Sequence, residues 1–151
     1  MTTQQFDAII IGAGAAGMMC GAVAGARGRS VLIIDHAKKP GEKIRISGGG
    51  RCNFTNIHCG PENFISKNPY FCVSALARYT PQDFIELVDS YGITWHEKEK
   101  GQLFCDEKAQ QIVDMLLKEC RDNGNTVWMG TSVEALKKSE KTYSVETKRG
   151  T

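Results

Sequence analysis

The sequence predicts an α/β fold built on a βαβ unit with parallel core strands. Three observations predict it. An apolar run, Phe6 to Ile11, ends in glycine. A stretch of small residues, about Ala15 to Arg27, follows with helical character. A second apolar run, Val31 to Ile34, ends in Asp35. Short, unbroken apolar runs suit strands buried on both faces, as parallel strands are. Parallel neighbours need a crossover, and it is expected to be right-handed.

The elements follow in order. Gly28 supplies the stop of the first helix. The stretch Lys38 to Pro69 is rich in Gly, Asn, Ser and Pro and reads as irregular. Irregular stretches of that length are uncommon inside a domain unless they are functional. Pro69 to Tyr79 reads as a helix. Thr80-Pro81 starts the next one, with Thr as N-cap and Pro in the first helical position. That helix runs to about Tyr91 and stops at Gly92. Ile93 to Glu97 and Gln102 to Cys105 form a hairpin turning at Lys100-Gly101. From Ala109 to Asp122, Ile112, Val113, Leu116, Leu117 and Cys120 recur at helical spacing, and Asn123-Gly124 ends that helix. Thr126 to Met129 is a third core strand. Val133, Ala135 and Leu136 then lead through the turn Ser139 to Lys141 into Tyr143 and Val145, the start of a β-meander. Lys148-Arg149-Gly150 reads as a further turn with one residue after it. The sheet is therefore expected to be incomplete in this chain.

The 151 residues, 41% of them apolar and 24% charged, suit a globular domain with a real core. A net charge of +2 announces neither a nucleic-acid nor a membrane partner. Ala8 to Ile11 is too short an apolar run for a signal peptide or a membrane span, so a cytoplasmic location is expected. The six cysteines include no C-x-x-C pair and the three histidines are scattered, so no metal site is expected. The thiols read as reduced and partly buried.

The segment Gly12-Ala13-Gly14-Ala15-Ala16-Gly17 gives the βαβ unit its chemistry. It is a Gly-x-Gly-x-x-Gly turn between a strand and a helix, with an acidic residue closing the next strand. Gly12 allows the tight turn, Gly14 lets backbone approach a pyrophosphate, and Gly17 lets helix and strand pack closely. The helix N-terminus turns free N–H groups and partial positive charge toward the phosphates. Asp35 is placed to accept hydrogen bonds from an adenosine ribose, and its charge repels a 2′-phosphate, which argues against NADP in this site. His36 sits at the mouth of that site as a spectator. The plain alternative is that small residues merely permit close packing; the surrounding context favours the nucleotide.

A second glycine loop, Ser47-Gly48-Gly49-Gly50, follows. Three consecutive glycines weaken a regular element by roughly 1 kcal/mol each, so backbone is expected to come close to something there. The loop can form an anion-binding nest, with Lys43, Arg45 and Arg51 adding positive charge. Asn53, Thr55 and Asn56 can hydrogen-bond the edge of a planar heterocycle. A nicotinamide dehydrogenase has no need of this loop, whereas a flavin must be held at its ring edges. The cofactor expected is FAD, on a Rossmann-like FAD-binding fold with an inserted helical and hairpin segment. Beside Arg51, Cys52 is either a reactive thiolate or a small residue packing beneath the flavin. Its next cysteine, Cys59, is seven residues on and does not make a C-x-x-x-x-C redox pair.

The Gly12 to Gly17 turn, Asp35 and above all Lys43-Ile44-Arg45-Ile46-Ser47-Gly48-Gly49-Gly50-Arg51-Cys52-Asn53-Phe54-Thr55-Asn56 resemble the HI0933-like flavoprotein family, bacterial NAD(P)/FAD-dependent oxidoreductases of the YhiN and BaiN type. Ser74 to Tyr79 and Gly101 to Cys105 fit the same family. The resemblance covers essentially the whole chain but only the N-terminal portion of a family member, so residues 1–151 are expected to be part of an FAD-binding domain, with its remainder and a substrate domain absent. It implies adenosine and pyrophosphate contacts at Gly12, Gly14, Ala15, Ala16, Asp35 and His36. Lys43 and Ser47, Gly48, Gly49, Gly50, Arg51, Cys52 and Asn53 would approach the pyrophosphate and flavin. Val133 matches the position that contacts adenine through its backbone in this architecture.

The function expected is a flavin-dependent oxidoreductase passing hydride through flavin N5 between NAD(P)H and an unsaturated or oxidisable small molecule. An alternative is reduction of a uridine in ribosomal RNA; bulk charge and the lack of a basic stripe lend RNA little support. A further alternative is a truncated fragment without catalysis of its own. No residue stands out as a general acid, and His58 and His96 are candidates by side-chain type alone.

Overall fold

The computed structural model describes residues 3–149. In chain order the elements are β1 (Ala8–Ile11), α1 (Ala15–Ala26), β2 (Val31–Ile34), α2 (Glu42–Ile46), β3 (Asn53–Asn56), α3 (Val73–Arg78), α4 (Pro81–Ser90), β4 (Trp95–Glu97), β5 (Gln102–Cys105), α5 (Gln110–Asp122), β6 (Thr126–Trp128), β7 (Val133–Lys138) and β8 (Tyr143–Thr147). They group into two compact units. One holds the chain as far as Lys43 together with the part from Leu116 onward; the other is Ile44–Met115.

The first unit is the parallel α/β part. Its sheet has the order β1-β2-β6, with both pairings parallel. β2 lies in the middle and all four of its residues are buried. Burying each such side chain contributes about 1.5–3 kcal/mol. Alternate β2 residues serve opposite faces. Leu32 and Ile34 pack with Val145 of β8, and Phe6, Ile9, Trp128 and Val133 complete that cluster. Ile33 faces α1, where a Cβ on Gly21 would come within 2.6 Å of its Cδ1. Small residues on α1 thus let it lie close to the sheet. β7 and β8 form the antiparallel pair expected from the alternating tail, with a register shift between Val133 and Ala135. Among the described residues the outer edge of β1 pairs with no strand, and Ile11 is 59% exposed.

The second unit holds an antiparallel sheet of order β3-β5-β4, with α4 against β3. The β4–β5 hairpin turns at Lys100-Gly101 as expected, with φ of 51° and 77° at those residues. Its third strand, β3, and the short helix α2 lie within the stretch expected to be irregular. β3 exists through its pairing with β5, not through its own composition. The helix expected from Pro69 shortens to Val73–Arg78. Buried side chains from α4, β5 and the N-terminal turns of α5, including Ile85, Val88, Leu103, Ile112 and Val113, make the core.

Glycine ends the three long helices alike. After α1, Gly28 donates to the Gly25 carbonyl (2.8 Å) and Arg29 to that of Ala24 (3.2 Å). The same double closure follows α4 at Gly92-Ile93 and α5 at Gly124-Asn125. At the start of α4, Thr80 Oγ1 accepts from the Asp83 N–H (3.3 Å), and the Asp83 carboxylate accepts from the Thr80 N–H (2.6 Å). The Thr80 hydroxyl also donates to that carboxylate (2.6 Å), and this bond first, with the Thr80 N–H second, holds the Asp83 carboxyl below its ordinary value. A lowered folded value gives stability that is complete above the unfolded Asp value of about 3.9 and is lost as the pH drops through the lowered one. Thr80→Ala is expected to destabilise the protein by about 1 kcal/mol. It should also flatten the acid limb that Asp83 contributes; urea midpoints of both proteins at neutral and acid pH check this.

Candidate functional site

The Gly12 to Gly17 turn joins β1 to α1 at the C-terminal ends of the strands, where open parallel sheets bind their ligands. Gly12 has φ of 115°, a conformation that favours glycine, and its N–H donates to the Ile34 carbonyl at 2.7 Å. A Cβ on Gly17 would lie 1.9 Å from the Gly12 carbonyl oxygen, so helix and turn touch there with no room for a side chain. Gly14 differs. It caps α1 with an ordinary φ of −85°, and a Cβ there would meet nothing within 4 Å. Nothing in the chain's own packing requires glycine at this position. Open space in front of a helix N-terminus is the cradle a pyrophosphate needs.

Asp35 is tied into this turn. One carboxylate oxygen accepts from the Ala13 N–H (2.7 Å), and the other from the Ala37 N–H (2.8 Å). Its backbone joins the end of β6: the Asp35 N–H donates to the Trp128 carbonyl (3.0 Å), and the Thr131 N–H donates to the Asp35 carbonyl (2.8 Å). Asp35 is therefore a brace for the turn as well as a candidate ribose acceptor. Each carboxylate oxygen keeps a second lone pair for a ligand. His36 is 83% exposed, its Nδ1 3.4 Å from Asp35.

A cleft of about 490 Å³ opens at these strand ends. Ile11, Gly12, Asp35, His36, Ser132 and Val133 are among its lining residues. The structure thus brings Gly12, Asp35, His36 and Val133 to one cleft. Thr131 and Ser132, which also line it, carry no periodicity or motif in the sequence. Their signal is positional: they follow the third parallel strand, where the sheet's ligand side lies. Ala13 is buried, Ala15 and Ala16 are exposed on the first turn of α1, and Lys43 is exposed on α2.

The second glycine loop is built within the other unit. Gly48, Gly49 and Gly50 have φ of 57°, 66° and 89°, and Cys52 follows at 56°. The Cys52 N–H donates to the Ser47 carbonyl (3.1 Å), closing the turn. A Cβ on Gly48 would approach Phe104 Cε1 to 2.6 Å and the Asn53 nitrogen to 2.9 Å. The close approach expected of these glycines is therefore made, at Gly48, to the chain itself. Gly49 opens onto free space. The loop is anchored behind: the Cys105 N–H donates to the Arg51 carbonyl (3.0 Å) and the Ala109 N–H to that of Gly50 (2.8 Å). Arg51 itself is exposed.

The side chains after the loop serve the fold. The Asn53 amide, with its nitrogen toward the carbonyls of Leu103 and Thr55, reaches them at 3.2 and 3.0 Å. Asn56 donates to the Lys100 carbonyl (2.9 Å) and accepts from the His58 N–H (2.8 Å), which braces the hairpin turn. His96 Nδ1 lies 2.7 Å from Asp106, and its ring stacks on Phe104. Cys52 is buried, and burial pushes its thiol up, which removes the reason to read it as a reactive thiolate beside Arg51. Burial likewise pushes Cys105 up to about 12. Cys20 differs from the thiols expected to be partly buried: it is exposed.

A βαβ unit with its glycine turn, a brace at the end of β2 and a cleft at the strand ends defines a Rossmann-type domain. The chain belongs to the HI0933-like family, whose Rossmann domain matches residues 6–151. It is 57% identical over 143 residues to the ribosomal RNA dihydrouridine synthase of Escherichia coli, covering 95% of this chain and 36% of that protein. The enzyme of the same name from Haemophilus influenzae is 52% identical over 90% of this chain and 34% of its own length. A 3-dehydro-bile acid delta(4,6)-reductase of Clostridium scindens is 29% identical over 90% of this chain and 34% of its own. The chain thus spans about a third of these relatives. Among solved structures, Thermovibrio ammonificans THI4 shares the fold at a TM-score of 0.56 and 20% identity, covering 93% of this chain and 45% of that one. The halogenase PltM, solved with phloroglucinol and FAD, does so at 0.54 and 22%, covering 98% and 32%.

Two outcomes follow from this geometry. Gly17→Ala is expected to cost about 1–3 kcal/mol through forced overlap with backbone, whereas Gly14→Ala costs less than about 1 kcal/mol. Urea titration of the two variants measures this, and equal losses would contradict it. In the folded protein at neutral pH, iodoacetamide is expected to modify Cys20 first and leave Cys52 and Cys105 intact; mass spectrometry of the digest reads the order.

Proposed function

We propose that this chain carries the FAD-binding residues of a flavin-dependent reductase that converts a uridine of ribosomal RNA to dihydrouridine. The observation that carries the reading is the identity, above one half over nine-tenths or more of this chain, to two ribosomal RNA dihydrouridine synthases. The free space at Gly14 supports the cofactor, because a phosphate can approach the N-terminus of α1 there without meeting a side chain.

Gly12 through Gly17 and the N-terminus of α1 would receive the pyrophosphate. Asp35, with His36 and the backbone of Val133, would hold the adenosine. Lys43 and the loop Ser47 to Asn53 would meet the pyrophosphate and flavin, with Gly49 the most open point of approach. When bound, FAD supplies hydride transfer through N5, with NAD(P)H as the electron donor. Saturating the uracil C5–C6 bond takes one hydride and one proton, and no residue of this chain is assigned as the proton donor. Asp35 would keep the turn in its binding shape while sharing its remaining lone pairs with the ribose.

The second reading is a reductase of an unsaturated small molecule, favoured by the resemblance to the bile acid reductase at 29% identity. Its lower identity puts it behind the first. Deleting the gene and digesting ribosomal RNA for mass spectrometry separates them: the first reading expects the loss of a dihydrouridine that the intact gene restores. Unchanged ribosomal RNA would sink it. In the purified protein, Gly14→Ala is expected to lower the yellow FAD absorbance, while the FAD-free protein loses less than about 1 kcal/mol of stability.

A further inference from the structure

We propose that the aromatic, basic stretch centred on Tyr70 and Phe71 is the surface on which single-stranded RNA stacks; the inference rests on the ribosomal RNA reading above. Within the second unit, every exposed large apolar side chain lies between Ile46 and Tyr79, and none lies from Pro81 onward. Tyr70 and Phe71 are 79% and 80% exposed, and Ile65 is fully so. Phe64 and Tyr79 are exposed to a lesser degree, at 47% and 38%, and three aromatics of this unit are packed together. Phe54 packs against Phe84 and Trp95 at ring separations of 6.0 and 6.3 Å, as core aromatics do. Exposure of adjacent rings is thus a local property, not a general looseness.

The backbone that carries the two rings is held by its own turn. The Ser66 hydroxyl donates to the Asn68 carbonyl (2.7 Å), the Tyr70 N–H donates to the Asn68 side chain (3.1 Å), and the Phe71 N–H to the Asn68 carbonyl (3.1 Å). Pro69 restricts the backbone between them. A turn fixed in this way needs no further backbone ordering when a base lies on the rings.

Charge selects the partner. Residues 44–80 carry four basic side chains, Arg45, Arg51, Lys67 and Arg78, against one acid, Glu62. Residues 81–115 carry three basic against eight acidic ones. The small net charge of the chain therefore conceals a segregation, and the exposed rings lie in the basic part. Cations and exposed rings on one stretch of chain are what a single strand uses: the cations meet the phosphates and the rings meet the bases.

The test measures binding of a short, uridine-containing single-stranded RNA to the full, FAD-loaded protein by fluorescence anisotropy across a salt series. Tyr70→Ala with Phe71→Ala is expected to weaken binding about tenfold or more, while Tyr70→Trp with Phe71→Trp keeps it. Lys67→Ala should reduce the slope of log affinity against log salt by about 0.7. If the unaltered protein holds FAD and binds no RNA, the ribosomal RNA reading falls and this inference with it. If it binds RNA and the alanine pair binds equally well, the stacking surface alone is wrong. Loss of FAD or of folding in both pairs alike would show the rings to be packing groups and would equally overturn it.

Discussion

The carboxylate of Asp35 is the constraint on which the parallel unit turns. β2 is the buried middle strand, and Asp35 is the first residue past it. Its side chain fastens the glycine turn through Ala13 and its own loop through Ala37. Its backbone fastens the exit of β6 at Trp128 and Thr131. Three strand ends are thereby held in one arrangement, and the cleft exists between them. An ionised carboxylate suits the task because it only accepts, and the groups it meets are N–H donors. The same residue type is wanted for a ribose, so the side chain that braces the site is also the one proposed to meet the adenosine.

The two glycine loops look alike in sequence and differ in physics. Gly17 and Gly48 are glycine because the chain's own atoms fill the space beside them. Gly12 and the residues around Gly49 are glycine because of left-handed backbone. Gly14 has neither reason. As the N-cap of α1 it leaves the helix end open to approach from outside, and Gly49 is open in the same way. Cys52 adopts a left-handed conformation without being glycine, a strain of the kind that persists where the surroundings over-determine the backbone.

Much of this was legible in the sequence. Unbroken apolar runs marked β1, β2 and β6, and helical spacing marked α5. Gly28, Gly92 and Gly124 stood where helices must stop, and Thr80-Pro81 where one must start. What was hidden depends on partners far along the chain. β3 has the composition of a turn, and only β5 makes it a strand. Gly48 is explained by Phe104, more than fifty residues later. Asn53 and Asn56 read as ligand contacts because free amides invite that reading; their bonds to the sheet and the hairpin turn add a role in the fold that the sequence hid. Thr131 and Ser132 escaped because cleft-lining loop residues have no period. The exposure of Tyr70 and Phe71 was equally invisible, since an aromatic pair in sequence says nothing about which side of the surface it occupies.

The division of the chain into a contiguous unit and an interrupted one has a temporal consequence. Leu32 pairs with Thr126, so closing the parallel sheet waits on a contact roughly ninety residues long in sequence. The inserted unit, Ile44–Met115, contains all of its own strand pairings. Non-local parallel pairing is slow because loop closure must precede its reward, whereas hairpins form quickly. During synthesis the insert has all of its strand partners once β5 has emerged, before any of β6 exists. β1 and β2 can pair early, but the clamp at Asp35 is completed only when Trp128 and Thr131 have emerged. The cleft is among the last features of this chain to acquire its shape.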